Sequence, residues 1–218
     1  MNIPKHIIPR DNYTSKIKPF INTSLIKVLT GQRRVGKSYL LYQLINLISE
    51  QNDKSNIIFI NLEDLAFDFI KNANDLNDYV TQHLSSTERN YLFIDEIQDI
   101  EDFEKALRSL ALNENLDIYI TGSNAKMLSG ELASTLSGRY IEFNIYSLSY
   151  PEFLTFHSLD DADESLGMYM KYGGLPYITN LPLNDDVIFE YLKNIYSTII
   201  YRDVVSRYNL RNTHFLEV

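Results

Sequence analysis

Short, almost wholly apolar runs alternate along the chain with longer stretches whose apolar residues recur every three or four positions. That rhythm predicts alternating strands and helices. Leu25–Thr30 (LIKVLT) reads as a first strand and runs into a glycine. Ser38–Glu50 then carries Leu40, Leu41, Leu44, Ile45 and Ile48 on one stripe, as an amphipathic helix should. Asn56–Leu62, Tyr91–Ile94, Leu116–Ile120 and Tyr140–Ile145 read as further strands, apolar enough to be covered on both faces. Between them, Leu76–Leu84, Asp102–Leu112 and Ala125–Leu136 have the character of helices. Parallel strands need a crossover between them, and a helix is the usual one. The pattern therefore predicts an α/β fold of three layers, a parallel sheet with helices on both faces. From Ser149 the rhythm changes: Tyr150–His157, Leu166–Tyr172 and Asp185–Tyr201 look helical, with a break at Gly173-Gly174-Leu175-Pro176. We expect a core over residues 1–148 and a small helical lid over 149–218, with Asp160–Glu164 (DDADE) a solvated loop.

Composition narrows this without redirecting it. Of 218 residues, 44% are hydrophobic and 22% charged, the proportions of a globular protein. No apolar run approaches the roughly 18 residues that a membrane helix needs. The opening Met1-Asn2-Ile3-Pro4-Lys5-His6 lacks the apolar stretch of a signal peptide. The absence of cysteine excludes disulfides and thiolate metal sites, and fits a reducing cytoplasm. His6, His83, His157 and His214 are scattered, away from metal-ligand spacing. A formal net charge of −9 argues against a broad nucleic-acid footprint. Against that background Arg33, Arg34 and Lys37 form one local cationic spot, where an anionic ligand is wanted.

That spot lies in Gly31–Ser38, G-Q-R-R-V-G-K-S, a full match to the phosphate-binding pattern G-x-x-x-x-G-K-[ST]. Gly31 and Gly36 let the backbone turn and let phosphate oxygens approach its amides. The helix that follows aims its unpaired N–H groups and positive dipole end at the same point. Lys37 would meet the β- and γ-phosphates of ATP, and the Ser38 hydroxyl would ligate Mg²⁺. A chance match in a chain of this length has a probability of about 1%, and here the required strand and helix flank it. The expected nucleotide-binding set is Gly31, Gln32, Arg33, Arg34, Val35, Gly36, Lys37, Ser38 and Tyr39, with Ser38 and Asp95 on the metal.

Asp95 and Glu96 close the apolar run YLFI, which would place them at the carboxyl edge of the sheet, where α/β proteins bind ligands. Asp95 would hold Mg²⁺ opposite Ser38, and Glu96 would orient and deprotonate the attacking water. Two readings of Thr121-Gly122-Ser123-Asn124 stand side by side. Either Asn124, taken ahead of Ser123, meets the γ-phosphate and the water, or the segment caps the next helix. Arg139 likewise is either a plain surface arginine or one delivered to a γ-phosphate.

Taken together, GQRRVGKS (31–38), DEIQ (95–98), TGSN (121–124), LSGR (136–139), LSYPEF (148–153) and GGLP (173–176) resemble a prokaryotic family of AAA+-like P-loop ATPases. The likeness runs over essentially the whole chain. It implies a five-stranded parallel sheet in the order 5-1-4-3-2, a helical lid, a sensor at Asn124 or Ser123 and an arginine finger at Arg139. It also implies a winged-helix segment and often a nuclease-like C-terminal domain. The sequence departs there, stopping at Val218 soon after RYNLRN (207–212), so a short or truncated member without nuclease function is expected. Arg202 and Arg207 are weak candidates for a lid arginine.

The expected activity is Mg-dependent hydrolysis of ATP to ADP, coupled to lid movement and to a partner domain or protein. A homo-oligomer is expected if Arg139 works across a subunit boundary. Two alternatives remain: a nucleotide-dependent switch with little turnover, and a small-molecule kinase. Glu96 directly after Asp95 favours water as the nucleophile and counts against the kinase.

Overall fold

The computed structural model describes residues 3–4, 6–122 and 135–199. The chain divides into two compact units, one of Met1–Gln32 with Gly36–Tyr146, the other of Arg33–Val35 with Ser147–Val218.

The first unit is a five-stranded sheet, entirely parallel, in the order β2-β3-β4-β1-β5. The strands are β1 (Ile26–Thr30), β2 (Asn56–Asn61), β3 (Asn90–Asp95), β4 (Leu116–Gly122) and β5 (Tyr140–Asn144). Read from the other edge, this is the 5-1-4-3-2 order that the motifs implied. Strand alternation sorts the side chains onto two faces. Ile26, Val28, Ile58, Ile60, Leu92, Ile94, Leu116, Ile118 and Ile120 share one face and form a core with helices α3 (Ala73–His83) and α4 (Phe103–Leu110). α2 (Lys37–Gln51) packs against β3 and β4 and supplies the third layer. Its buried Leu40, Leu41, Leu44, Ile45 and Ile48 are the predicted stripe.

The opposite face of the adjacent strands β3 and β4 reads as a ladder. Tyr91, Phe93 and Asp95 alternate on β3; Asp117, Tyr119 and Thr121 alternate on β4. Phe93 and Tyr119 are register partners and stack at 4.6 Å. Below them, Lys27 and Asp117 form a fully buried ion pair. The Asp117 carboxylate also accepts from Tyr119 Oη at 2.9 Å and from the Asn22 amide at 2.7 Å. Above them lie Asp95 and Thr121. The ladder thus has a charged end, an aromatic middle and an acidic end.

The second unit contains α5 (Tyr150–His157), α6 (Asp163–Tyr172), a 3-10 turn over Pro176–Asn180 and α7 (Asp185–Ile199) around Tyr172, Ile178 and Ile188. Glu152 reaches back to the Ser149 amide at 2.9 Å and caps α5. Two motif segments explain one another here. The Leu148 amide donates to the Gly174 carbonyl at 2.7 Å, and a Cβ on Gly174 would stand 2.2 Å from the Leu148 carbonyl oxygen. The second glycine of GGLP, Gly174, is therefore required by its close approach to the start of LSYPEF.

Two local expectations need correction, and one helix was not anticipated. The DDADE segment is not all loop: Asp163 and Glu164 form the first turn of α6, where acidic side chains suit the positive end of the helix dipole. α1 (Asp11–Ile17) and the 3-10 turn Lys18–Phe20 carried no usable periodicity, because Ile17 alone among their residues is buried. α3 begins at Ala73, three residues before its first buried residue, because Asn72 and Asp75 close a capping box. No helix among the described residues is long and apolar enough to cross a membrane.

Candidate functional site

The carboxyl ends of β1, β3 and β4 bring the predicted chemistry together. β1 ends at Thr30, and the backbone then turns through Gly31 (φ 150°), Arg34 (φ 68°) and Gly36 (φ 94°, ψ 24°) into α2. A left-handed residue directly before a helix exposes the helix's first amides on a concave surface, a geometry suited to anions. Lys37 opens the helix and is 4% exposed; its Nζ donates to the carbonyls of Gly31 at 3.0 Å and Gln32 at 3.1 Å. Val35 is buried, Gln32 and Arg34 are exposed, and Tyr39 is half exposed with its ring edge on Tyr42.

Asp95, the last residue of β3, is 3% exposed. It accepts hydrogen bonds from the hydroxyls of Ser38 and Thr121. Burial pushes its carboxyl above the ordinary aspartate value; the two hydroxyl donors pull the other way, Glu96 adds to the rise, and Lys37 opposes it. Glu96 adopts the left-handed conformation (φ 59°, ψ 47°), which a non-glycine residue holds at a cost of about 1 kcal/mol. Its amide donates to Thr121 Oγ1 at 3.0 Å. Its carboxylate lies between Lys37, with Nζ 3.7 Å from Oε1, and Gln98, whose side-chain amide donates to Oε2. The Lys37 contact is one of charge, too long for a hydrogen bond.

The donor set suits Mg²⁺. A hydroxyl and a carboxylate, both hard oxygen donors, already touch each other, next to a loop shaped for phosphates. Among the described residues, no three histidine, acidic or cysteine side chains gather where they could hold a metal. An ion here would keep waters and phosphate oxygens as its other ligands, which is Mg²⁺ behaviour.

The sequence-predicted residues fare unequally. Lys37, Ser38, Asp95 and Glu96 lie together. Asn124 and Ser123, with Arg202 and Arg207, lie outside the described residues. Arg139 is exposed at the amino end of β5, where its carbonyl accepts from the Ile26 amide at 2.9 Å. Five residues of β1 separate that level from the loop, about 16 Å at strand rise. Arg139 therefore stands at the opposite edge of the sheet from its own chain's Lys37.

Thr121 and Gln98 were not singled out in the sequence. Thr121 is fully buried and bonds both acidic neighbours. Alternation puts Asp117, Tyr119 and Thr121 on one face of β4, but only the pairing of β4 with β3 sets Thr121 beside Asp95, and that pairing is a feature of the fold.

A parallel sheet carrying a glycine-hinged lysine–serine loop beside an acidic strand end defines the P-loop nucleotide-binding class. A family model described as AAA domain matches residues 23–154, and the chain belongs to that family. It is a nucleotide-binding domain of ATPase type. The chain is 39% identical over 221 residues to an uncharacterized protein of Haemophilus influenzae, covering 98% of this chain and 54% of that protein. Uncharacterized protein MJ1544 of Methanocaldococcus jannaschii is 36% identical over 204 residues, covering 88% of this chain and 45% of its own length. The chain thus spans about half the length of these relatives. Among solved structures, the Saccharomyces cerevisiae Hsp104:casein complex is similar in fold, with a TM-score of 0.55 at 15% identity over 79% of this chain and 36% of that one.

Proposed function

We propose that this chain binds ATP with Mg²⁺ on Gly31–Tyr39 and hydrolyses it. The observation that carries this is the convergence of Lys37, Ser38, Asp95, Glu96 and Thr121 on one sheet edge. Ser38 and Asp95 would hold the metal, which when bound neutralises phosphate charge. Lys37 would leave the carbonyls of Gly31 and Gln32 for the β- and γ-phosphates. Glu96, released from Lys37 in the same movement, would take the proton of the attacking water. The amides at the start of α2 would bear on the phosphates throughout, without any rearrangement.

Asn124 or Ser123 would touch the γ-phosphate and the water. Arg139, given its level in the sheet, would serve the nucleotide of a second copy and not its own. Nucleotide state would move the helical lid, residues 149–218, and act on a partner domain or protein. The length of the relatives leaves room for such a domain within one polypeptide.

Phosphate release under steady-state conditions tests the activity. Turnover should need Mg²⁺, and Glu96→Gln should bind ATP while hydrolysing it at least about 100-fold more slowly. Lys37→Ala should lose ATP binding itself. Wild-type turnover in Glu96→Gln would remove Glu96 as the base, and unchanged affinity in Lys37→Ala would remove the loop. Stoichiometric bound ADP with negligible turnover would favour a nucleotide-dependent switch. If Arg139 acts between copies, activity per chain should rise with protein concentration.

A further inference from the structure

Gln98 has no part in the reading above, yet it touches the proposed base. It lies in the 3-10 turn Ile97–Asp99, is 6% exposed, and donates its side-chain amide to Glu96 Oε2. An ionised carboxylate has no proton to give, so the nitrogen of the amide, and not its oxygen, has to face it. Glu96 Oε1 has a different neighbour, Lys37 Nζ at 3.7 Å. The two oxygens of one carboxylate are therefore held by groups of different kinds.

Lys37 reaches Glu96 on a flexible four-carbon arm and attracts it by charge. Gln98 is enclosed and sits two residues along the same turn. The backbone of that turn is fixed by hydrogen bonds from Asp99 to Glu96 at 3.3 Å and from Ile100 to Ile97 at 3.1 Å. A triphosphate that draws Lys37 to its own oxygens removes the first contact and leaves the second in place. The carboxylate then has one oxygen pinned and one with open lone pairs.

We infer that Gln98 is a positioning residue for the hydrolytic base: it pins Oε2, sets the plane of the Glu96 carboxylate, and so presents Oε1 to the attacking water. This deepens the ATPase reading of the same site and rests on it. In the step it serves, the water's oxygen bonds to the γ-phosphorus as the bond to the bridging oxygen of ADP breaks. The water's proton passes to Oε1, and Gln98 neither gives nor takes a proton. Its whole effect is geometric, and it belongs to the rate and not to nucleotide affinity.

The test uses the full chain and Gln98→Met, which fills a similar volume without a donor. Turnover with Mg·ATP, affinity for a fluorescent ATP analogue and thermal unfolding are measured for the wild type, Gln98→Met, Glu96→Gln and the double variant. We expect kcat in Gln98→Met to fall about tenfold or more, with KM and analogue affinity within about twofold of the wild type. On the Glu96→Gln background the same change should have no further effect, because Gln98 acts through Glu96. Wild-type kcat in Gln98→Met overturns this inference alone, as does a loss that persists undiminished in the double variant. A fall in affinity or unfolding temperature that accounts for the lost rate also overturns it, by making the role structural. A wild-type chain without turnover overturns the ATPase reading and this inference together.

Discussion

Replacing Thr121 by valine removes one oxygen from the fully buried point where the two acidic residues meet, and leaves the shape of the side chain almost unchanged. Two hydrogen bonds go with it. The first runs from the Thr121 hydroxyl to Asp95, a buried acceptor that bears charge when ionised; bonds to charged groups contribute about 1.5–3 kcal/mol. The second is the 3.0 Å bond from the Glu96 amide to Thr121 Oγ1, which would leave a partly buried N–H without its acceptor at a cost of about 1–3 kcal/mol. The two share an atom and do not add fully, so the expected loss of stability is roughly 3–5 kcal/mol. For a chain of this size that corresponds to a fall in Tm of roughly 6–20 °C. Thr121→Ser keeps both bonds and gives up one methyl, so it should lose only about 1 kcal/mol. Circular dichroism during thermal and urea unfolding measures both variants against the wild type. A Thr121→Val chain within about 0.5 kcal/mol of the wild type would show that this hydroxyl does not tie the acids, and the account of how Glu96 is held in its left-handed turn would fail.

Three further outcomes follow from buried charge. Because burial raises the Asp95 carboxyl, the folded chain holds that proton more tightly than the unfolded chain does; stability tied to it is present at acid pH and is lost as pH rises through the raised value. Asp95→Asn should therefore unfold at a higher temperature than the wild type at neutral pH without nucleotide, while losing Mg-dependent ATP binding; an unchanged or lower Tm would contradict the burial argument. His157 is shifted the other way: burial lowers its pKa, so the folded state favours the neutral ring, and stability present above the ordinary histidine value is lost as pH falls below it. A Tm profile across that window should be flatter in His157→Phe than in the wild type, and an equally steep profile would exclude the residue. Lys27→Met alone strands the buried Asp117 carboxylate and should cost about 3–5 kcal/mol, whereas adding Asp117→Leu should recover much of the loss; a double variant as unstable as the single one would show that the pair is needed for more than charge balance.

Most of the sheet was legible in the sequence, because its strands are short apolar runs and Gly31–Ser38 marks where the first one ends. Asp95 and Glu96 were legible for the same reason, since an acid after a buried strand can only emerge at the sheet's edge. What the sequence hid were features that depend on register. Nothing within LDIYITG says that Thr121 stands beside Asp95; that follows from β4 lying next to β3 with Phe93 opposite Tyr119. The Gln98 contact depends on Glu96 adopting a left-handed backbone, which no residue preference would have suggested for a glutamate. Arg139 was read correctly as preceding a strand, but its distance from the loop became visible only when β5 proved parallel to β1 and beside it. The short α1 escaped because it buries one residue, too few to leave a period.

The ladder on β3 and β4 shows how differently the two ends of the sheet treat buried charge. Both ends bury lysine and carboxylate, but they pair them differently. Lys27 and Asp117 form a direct contact, and Tyr119 Oη, the Asn22 amide and the Leu25 carbonyl surround the pair with further hydrogen bonds. Nothing there needs a ligand. At the other end Lys37 is 3.7 Å from Glu96, and among the described residues Asp95 has hydroxyl donors but no direct cation. Burial raises the Asp95 carboxyl in spite of those donors, a sign that its charge is incompletely compensated. A divalent cation with a polyanion would give Asp95 a counter-charge and bring a phosphate to Lys37. The stacked Phe93 and Tyr119 lie between the two ends and keep the settled pair away from the unsettled one. On this argument, the proposed affinity for Mg·ATP would come from charge compensation that the fold leaves incomplete at Asp95, and the same deficit is why removing the Asp95 charge should stabilise the protein without nucleotide.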